Sequence, residues 1–124
     1  MLGEPTEAMR FRSKIEKDLN RSGNLMTIED LYAFVLTGDM QLWLGQRSIF
    51  FTEIVCYPRA KVLRLVIAAG ELENFFVVGP TIAAWAISQG CDRAEFVGRK
   101  GWTRRLPLWR ETAVMMTADL KDLL

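Results

Sequence analysis

The chain contains no histidine, so it lacks the side chain that most often serves as a general base or a metal ligand near neutral pH. Its two cysteines, Cys56 and Cys91, are too few for a disulfide scaffold. Free cysteine is among the most buried residue types, and we expect both thiols to be reduced and to lie in the core. The same counts argue against zinc chemistry, and the sequence predicts no metal site.

Neither sign of charge is in excess, and long apolar runs are missing. Sixteen basic and fifteen acidic residues give a formal net charge of +1, which provides no overall attraction to nucleic acid or to an anionic membrane. No apolar run approaches the roughly 20 residues that span a bilayer, and the charged first twenty residues are unlike a secretory signal. The 124 residues, half of them hydrophobic, predict one globular domain over 27–124 with an N-terminal arm over 1–26.

Helix signals are clearest after Thr27. This residue, with Asp30 three positions later, resembles a capping box, and Gly38 is a natural C-cap, so the pattern predicts a helix over 28–37. Upstream, 6–20 carries a few apolar residues among charges of mixed sign. That mixture predicts a weakly amphipathic, solvated helix, or an arm that becomes ordered on a partner.

Three strand-like runs follow, over 40–44, 49–57 and 61–68, and the links between them are short enough for antiparallel hairpins. Glu53 lies in the middle of the second run, where a partly buried carboxylate would be a candidate general base. Because the sequence shows no nucleophile and no cofactor-binding loop to act with Glu53, we prefer to interpret Glu53 as the partner of Arg64 or Lys61 in an ion pair across the hairpin.

The second half of the chain predicts a strand–helix–strand unit. Residues 70–90 have helical spacing with a kink expected near Gly79, which precedes Pro80. The strand over 93–97 must then lie parallel to 61–68, because a helical crossover joins them. A short helical piece over 103–108 and a final strand over 111–116 complete the order.

Several segments carry a resemblance to a known family: TIEDL at 27–31, TEIVCYPRAKVLRL at 52–65, AAGEL at 68–72, WAISQGC at 85–91 and GRKGW at 98–102. The chain resembles small proteins of tailed bacteriophages that have a Gcn5-related N-acetyltransferase-like fold and are encoded among virion structural genes. The resemblance implies an α+β fold with α/β/α layers. It also implies a mixed sheet, in which antiparallel hairpins precede a β-α-β unit with a parallel pair, and additional N-terminal helices.

The resemblance also implies where acetyl-CoA would bind in an active member. There, a glycine-rich junction between strand and helix holds the pyrophosphate on backbone amides. Here the junction reads AAGELENF at 68–75, with Glu71 and Glu73 in the first turn, where they repel phosphate. No tyrosine follows 93–97 to protonate a leaving thiolate. We therefore expect no catalytic residues and no cofactor; if the protein were active, the cofactor would lie at Ala69, Gly70, Glu71 and Leu72.

The leading hypothesis is a non-enzymatic phage protein of the virion or the host cytoplasm, using a catalytically degenerate fold as a protein-binding scaffold. Its expected partners are portal, capsid or tail proteins near the head–tail region, contacted by several copies on a symmetric assembly. An N-acetyltransferase with an unusual cofactor loop and a nucleic-acid-binding accessory protein remain alternatives. Interleaved Arg and Trp suit either kind of contact, so the candidate contact surface is the basic-aromatic cluster Arg99, Lys100, Trp102, Arg104, Arg105, Trp109 and Arg110.

Overall fold

The structure is a computed structural model that describes residues 6–98 and 102–124. Its regular elements, in chain order, are α1 (Arg12–Arg21), α2 (Ile28–Thr37), β1 (Gln41–Leu44), β2 (Ser48–Tyr57), β3 (Ala60–Gly70), α3 (Phe75–Ser88) and β4 (Arg93–Phe96). Short 3-10 turns lie at Thr6–Phe11, Leu72–Asn74, Trp102–Arg104 and Leu120–Leu123.

The four strands form one mixed sheet in the order β1-β2-β3-β4. The pairs β1–β2 and β2–β3 are antiparallel hairpins, and β3 runs parallel to β4 across the α3 crossover. Helices α1 and α2 cover one face, and α3 covers the other. The expected α+β class with α/β/α layers and one parallel pair is confirmed.

Each face of the sheet has its own hydrophobic core. The first core joins α1 and α2 to the sheet, and it includes the residues Ala8, Phe11, Ile15, Leu19, Ile28, Leu31, Tyr32, Ile49, Phe51 and Ile67. The second core lies under α3 and consists of Phe50, Leu63, Leu65, Ile82, Ala86 and Cys91. The residues from 6 to 21 therefore share a core with α2 and the sheet, through side chains spaced three or four positions apart on one helical face.

Two helix ends are held by specific side chains. The predicted capping box is present: the Asp30 amide donates to Thr27 Oγ1 at 3.1 Å, and the Thr27 amide donates to Asp30 Oδ2 at 2.9 Å. Gly38 follows α2 in the left-handed conformation, as predicted. At the end of α3, Lys61 Nζ donates to the Gln89 carbonyl at 2.9 Å, so that a cation lies at the negative end of the helix dipole.

Three sequence expectations were wrong in the second half of the chain. One α-helix, α3, runs through Pro80, where a short helix followed by a longer one was expected. Residues 111–116 form no strand. Cys91 is buried as expected, but Cys56 is exposed, because it lies near the end of β2 beyond the part covered by helices.

Within residues 6–98 and 102–124, no helix has both the length and the apolar character needed to cross a bilayer. The same part of the chain contains no cluster of three or more Cys, Asp or Glu side chains that could hold a metal ion.

Gly70 and Gly38 provide a matched pair of substitutions. Both have positive φ, +103° and +84°, which strains any residue with a Cβ by about 1 kcal/mol or more. A Cβ at Gly38 would meet no atom within 4 Å, whereas one at Gly70 would overlap the Arg47 carbonyl oxygen and lie 2.7 Å from Ser48 Cα. We expect Gly70→Ala to lower the free energy of unfolding by roughly 2 kcal/mol more than Gly38→Ala, measured by urea denaturation. Equal losses would contradict the tight packing at Gly70.

Candidate functional site

The candidate site is a gap at the carboxyl ends of the parallel strands β3 and β4. In β2, the neighbouring residues Phe51 and Thr52 pair with Ile67 and Leu65 of β3, so Val66 is an extra residue that forms a β-bulge. Pairing between β3 and β4 ends at the same level, with Leu65 opposite Phe96. Beyond this level, β3 continues to Gly70 without β4 beside it. Such a divergence is where open sheets with parallel strands usually bind ligands.

On the α3 side, the chain fills this gap with its own aromatic side chains. The Trp102 and Trp109 rings pack on Phe96 with centroid distances of 5.4 and 4.9 Å, and Trp109 also contacts Phe75 at 5.9 Å. Leu106, which lies between the two tryptophans in sequence, is 3% exposed. The cavity left among these side chains measures about 10 Å³, room for about one water molecule.

On the α1 side, a carboxylate occupies the free edge of β3. The Ala68 amide donates to Asp18 Oδ2 at 3.4 Å, at a level where β4 no longer pairs with β3. Burial raises the pKa of the Asp18 carboxyl above 3.8, although the hydrogen bond from Ala68 and the charge of Arg21 act to lower it. A half-buried carboxylate thus replaces the neighbouring strand as the partner of this amide.

A second, open cleft adjoins Asp18. It measures about 140 Å³, and its lining includes Lys14, Lys17 and Arg21 from α1 together with Gly70 and Trp102. The three cations lie three or four residues apart and therefore share one face of α1. The sequence analysis did not identify this cationic face; its spacing was visible, but nothing in the sequence placed it beside β3.

The junction between β3 and α3 packs against the turn between β1 and β2. The Glu71 amide donates to the Arg47 carbonyl at 2.9 Å, and Ser48 Oγ donates to Asn74 Oδ1 at 2.6 Å. Both carboxylates of the first turn have basic partners: Glu71 pairs with Arg47 at 3.4 Å, and Glu73 pairs with Arg105. Of the four residues expected to hold a cofactor in an active enzyme, Ala69, Gly70 and Glu71 line the open cleft, and Leu72 begins the 3-10 turn.

Within the described residues, the members of the basic-aromatic cluster differ in exposure. Trp102 and Trp109 are partly buried on Phe96, and Arg105 is paired with Glu73. Arg104 and Arg110 are exposed. The remaining two members, Arg99 and Lys100, lie outside the described residues.

Glu53 is an ion-pair residue. Its Oε1 lies 3.5 Å from Arg64 Nη1, and Arg64 Nη2 lies 2.8 Å from Glu95 Oε1. The hydrogen bond with Glu95 raises the pKa of the Arg64 guanidinium further above its already high ordinary value. The predicted pairing of Glu53 with Arg64 across the hairpin is confirmed.

No protein-family model and no curated protein matches this sequence, but solved structures match its fold. The BH1408 protein from Bacillus halodurans, solved as a tetramutant, has a TM-score of 0.62 and 10% identity over 90% of this chain and 92% of that chain. An acetyltransferase from Trypanosoma brucei has a TM-score of 0.55 and 11% identity, and the match covers 87% of this chain and 94% of that chain. A third match is an aminoglycoside acetyltransferase from an uncultured soil metagenomic sample, solved in complex with sisomicin. It has a TM-score of 0.56 and 9% identity, and the match covers 86% of each chain.

The chain has a Gcn5-related N-acetyltransferase-like fold. At identities near 10%, this likeness defines the arrangement of helices and strands, and function must be argued from the site itself. In this acetyltransferase-like fold, Trp102, Leu106 and Trp109 fill the α3 side of the gap between β3 and β4. On the α1 side, Asp18 accepts a hydrogen bond at the free edge of β3, beside the open cleft.

Asp18→Asn tests the half-buried carboxylate at the free edge of β3. The folded protein binds the Asp18 proton more tightly than the unfolded chain does, so this group lowers the free energy of unfolding as the pH rises from 3.8 through the raised pKa. The substitution keeps an oxygen acceptor for Ala68 and removes the charge. We expect the variant to be at least as stable as the wild type at neutral pH and to lose this part of the pH dependence.

Urea denaturation over a series of pH values measures this effect. Glu7→Gln, at the exposed start of the same helical segment, is the control for loss of one negative charge. An Asp18→Asn variant that is less stable than the wild type at neutral pH would show instead that Lys14, Lys17 and Arg21 hold the carboxylate in its charged form.

Proposed function

We propose that this protein uses the acetyltransferase-like fold as a non-enzymatic, protein-binding scaffold. We further propose that it works in the virion or in the assembly of a tailed bacteriophage. The observation that carries the first part is the filled gap between β3 and β4.

On the α3 side, the filled gap leaves no space for a cofactor of the size of acetyl-CoA. Pockets that bind small molecules usually measure roughly 300–1,000 Å³, and the cavity among Phe96, Trp102, Leu106 and Trp109 measures about 10 Å³. To enter here, a ligand would have to displace Trp102 and Trp109, which both pack on Phe96. Removing that apolar area from the core would cost several kcal/mol before any contact with the ligand formed.

The junction before α3 supports the same proposal. In a phosphate-binding junction, free amides point at the anion, whereas here the Glu71 amide already donates to the Arg47 carbonyl. A phosphate at this position would also have to compete with Glu71 for Arg47 and with Glu73 for Arg105. These exposed ion pairs are individually weak, but their carboxylates neutralise the two arginines that a diphosphate would otherwise use.

The phage setting rests on the sequence segments given above, chiefly WAISQGC at 85–91 followed by GRKGW at 98–102. A scaffold with a closed interior interacts through its surface, and the surface offers two exposed arginines, Arg104 and Arg110, beside the packed tryptophans. Arginine at such positions is well suited to pairing with carboxylates of a partner protein.

Acetyl transfer is a second candidate function, and two observations favour it. Solved structures that share the fold include acetyltransferases. In addition, the open cleft of about 140 Å³ brings Lys14, Lys17 and Arg21 to the free edge of β3, where a phosphate-bearing ligand would find positive charge. An enzyme of this kind would bind its cofactor on the α1 side of the sheet.

Titration calorimetry with acetyl-CoA separates the two functions. Because the gap is filled and the junction amide is occupied, we expect no saturable heat, corresponding to a Kd weaker than about 1 mM. The Trypanosoma brucei acetyltransferase, titrated in the same buffer, serves as a positive control.

Low-micromolar binding by the wild type would contradict the scaffold proposal. In that case, Lys17→Ala should weaken binding, since Lys17 lines the open cleft, while Lys121→Ala should not, since it removes the same charge from a distant, exposed turn.

Mass spectrometry of purified phage particles tests the phage setting. If the protein is a structural component, we expect its peptides at an abundance comparable with those of known minor virion proteins. Their absence from both the particles and the assembly intermediates of infected cells would contradict this part of the proposal.

A further inference from the structure

Three basic side chains of α1 line the open cleft and have no carboxylate partner. Lys14, Lys17 and Arg21 are exposed and lie on one face of the helix. Within the described part of the chain, no carboxylate oxygen lies within the 4.0 Å of an ion pair from their side-chain nitrogens. The cleft therefore presents positive charge that the described residues do not pair.

The two carboxylates that also line the cleft are engaged by other groups. Asp18 Oδ2 accepts the hydrogen bond from the Ala68 amide at 3.4 Å, and Glu71 pairs with Arg47 at 3.4 Å. Because Arg47 neutralises Glu71, the three cations of α1 face the single negative charge of Asp18. A concave surface with an excess of positive charge attracts an anionic ligand.

The size of the cleft favours a few inserted side chains over a complete small molecule. Its volume is about 140 Å³, whereas pockets that enclose small molecules usually measure roughly 300–1,000 Å³. A ligand that is mostly held outside the cleft and places only its charged groups inside it fits this volume. A segment of a partner protein with acidic side chains is such a ligand.

The spacing of the cations suits carboxylates on an extended segment. Lys14, Lys17 and Arg21 are three and four positions apart, so neighbouring members are separated by about 5–6 Å between Cβ atoms. In an extended chain, every second side chain points to the same side, at intervals of about 7 Å. The long, flexible stems of Lys and Arg can bridge this small difference, and both side chains form charge-assisted hydrogen bonds with carboxylates.

A strand of nucleic acid fits the same cations less well. Proteins bind it in a positively charged groove that follows the backbone over about four nucleotides or more, with aromatic rings stacked on the bases. The cations from Lys14 to Arg21 extend over only about 10 Å of the helix axis, and the four residues that follow, SGNL, carry no charge. The aromatic ring in the lining, Trp102, already packs on Phe96 with a centroid distance of 5.4 Å.

We propose that the open cleft binds an extended acidic segment of a partner protein, whose alternating carboxylates pair with Lys14, Lys17 and Arg21. This inference rests on the proposed scaffold function and names the chemistry of the partner. It adds a contact surface on α1 to the exposed arginines near the tryptophans.

Fluorescence anisotropy with two labelled peptides tests the proposal. In one peptide glutamate alternates with serine, and in the other glutamine replaces every glutamate. We expect saturable binding of the glutamate peptide that weakens as salt is added, and no binding of the glutamine peptide. Lys17→Gln should weaken binding by about threefold or more. Lys121→Gln, which removes the same charge from an exposed residue outside the cleft lining, should leave it unchanged.

No binding of the glutamate peptide, or equal effects of the two lysine variants, would overturn the proposal. Oligothymidylate and inorganic pyrophosphate are titrated at the same salt concentration. Tighter binding of either one than of the glutamate peptide, weakened by Lys17→Gln, would assign the cleft to nucleic acid or to a small phosphate ligand and would also overturn it.

The failure of this inference can be told apart from the failure of the scaffold proposal. If neither the glutamate peptide nor acetyl-CoA binds, the acidic segment is refuted and the scaffold proposal stands. If acetyl-CoA binds with low-micromolar affinity, the scaffold proposal itself is refuted.

Discussion

The extra residue at Val66 in β3 is the constraint on which the rest of the structure depends. Before it, Leu63 and Leu65 face the core under α3; after it, Ile67 and Ala69 face the core under α1 and α2. A single inserted residue exchanges the faces because side chains alternate along a strand. The same irregularity coincides with the end of β4 pairing, so it creates both the gap and the free edge of β3.

The protein uses its own side chains to satisfy the surfaces that this divergence exposes. On the α3 side, Trp102, Leu106 and Trp109 pack into the gap. On the α1 side, Asp18 accepts a hydrogen bond from the Ala68 amide. Both groups come from segments distant in sequence from β3. Filling the gap stabilises the fold, and it removes the space that a large cofactor would need. This relation between packing and function supports a scaffold over an acetyl-transfer enzyme.

If the protein acts as the proposed scaffold, it would do so through its surface. Arg104 and Arg110 are exposed on either side of Trp109 in the sequence and would be available to a partner.

The sequence by itself determined the capping box at Thr27, the two hairpins, the parallel pair across α3 and an ion pair of Glu53 across the hairpin, with Arg64 or Lys61 as its partner. Each depends on residues that are close in sequence or directly opposite on neighbouring strands, so pattern and spacing are sufficient to predict it. Only the tertiary structure decided that the charged segment 6–21 supplies core residues, that Trp102 and Trp109 pack inward, and that Asp18 meets Ala68. These contacts join residues that are distant in the chain. Whether a side chain is buried depends on which distant residues pack against it, and a local sequence pattern does not contain that information.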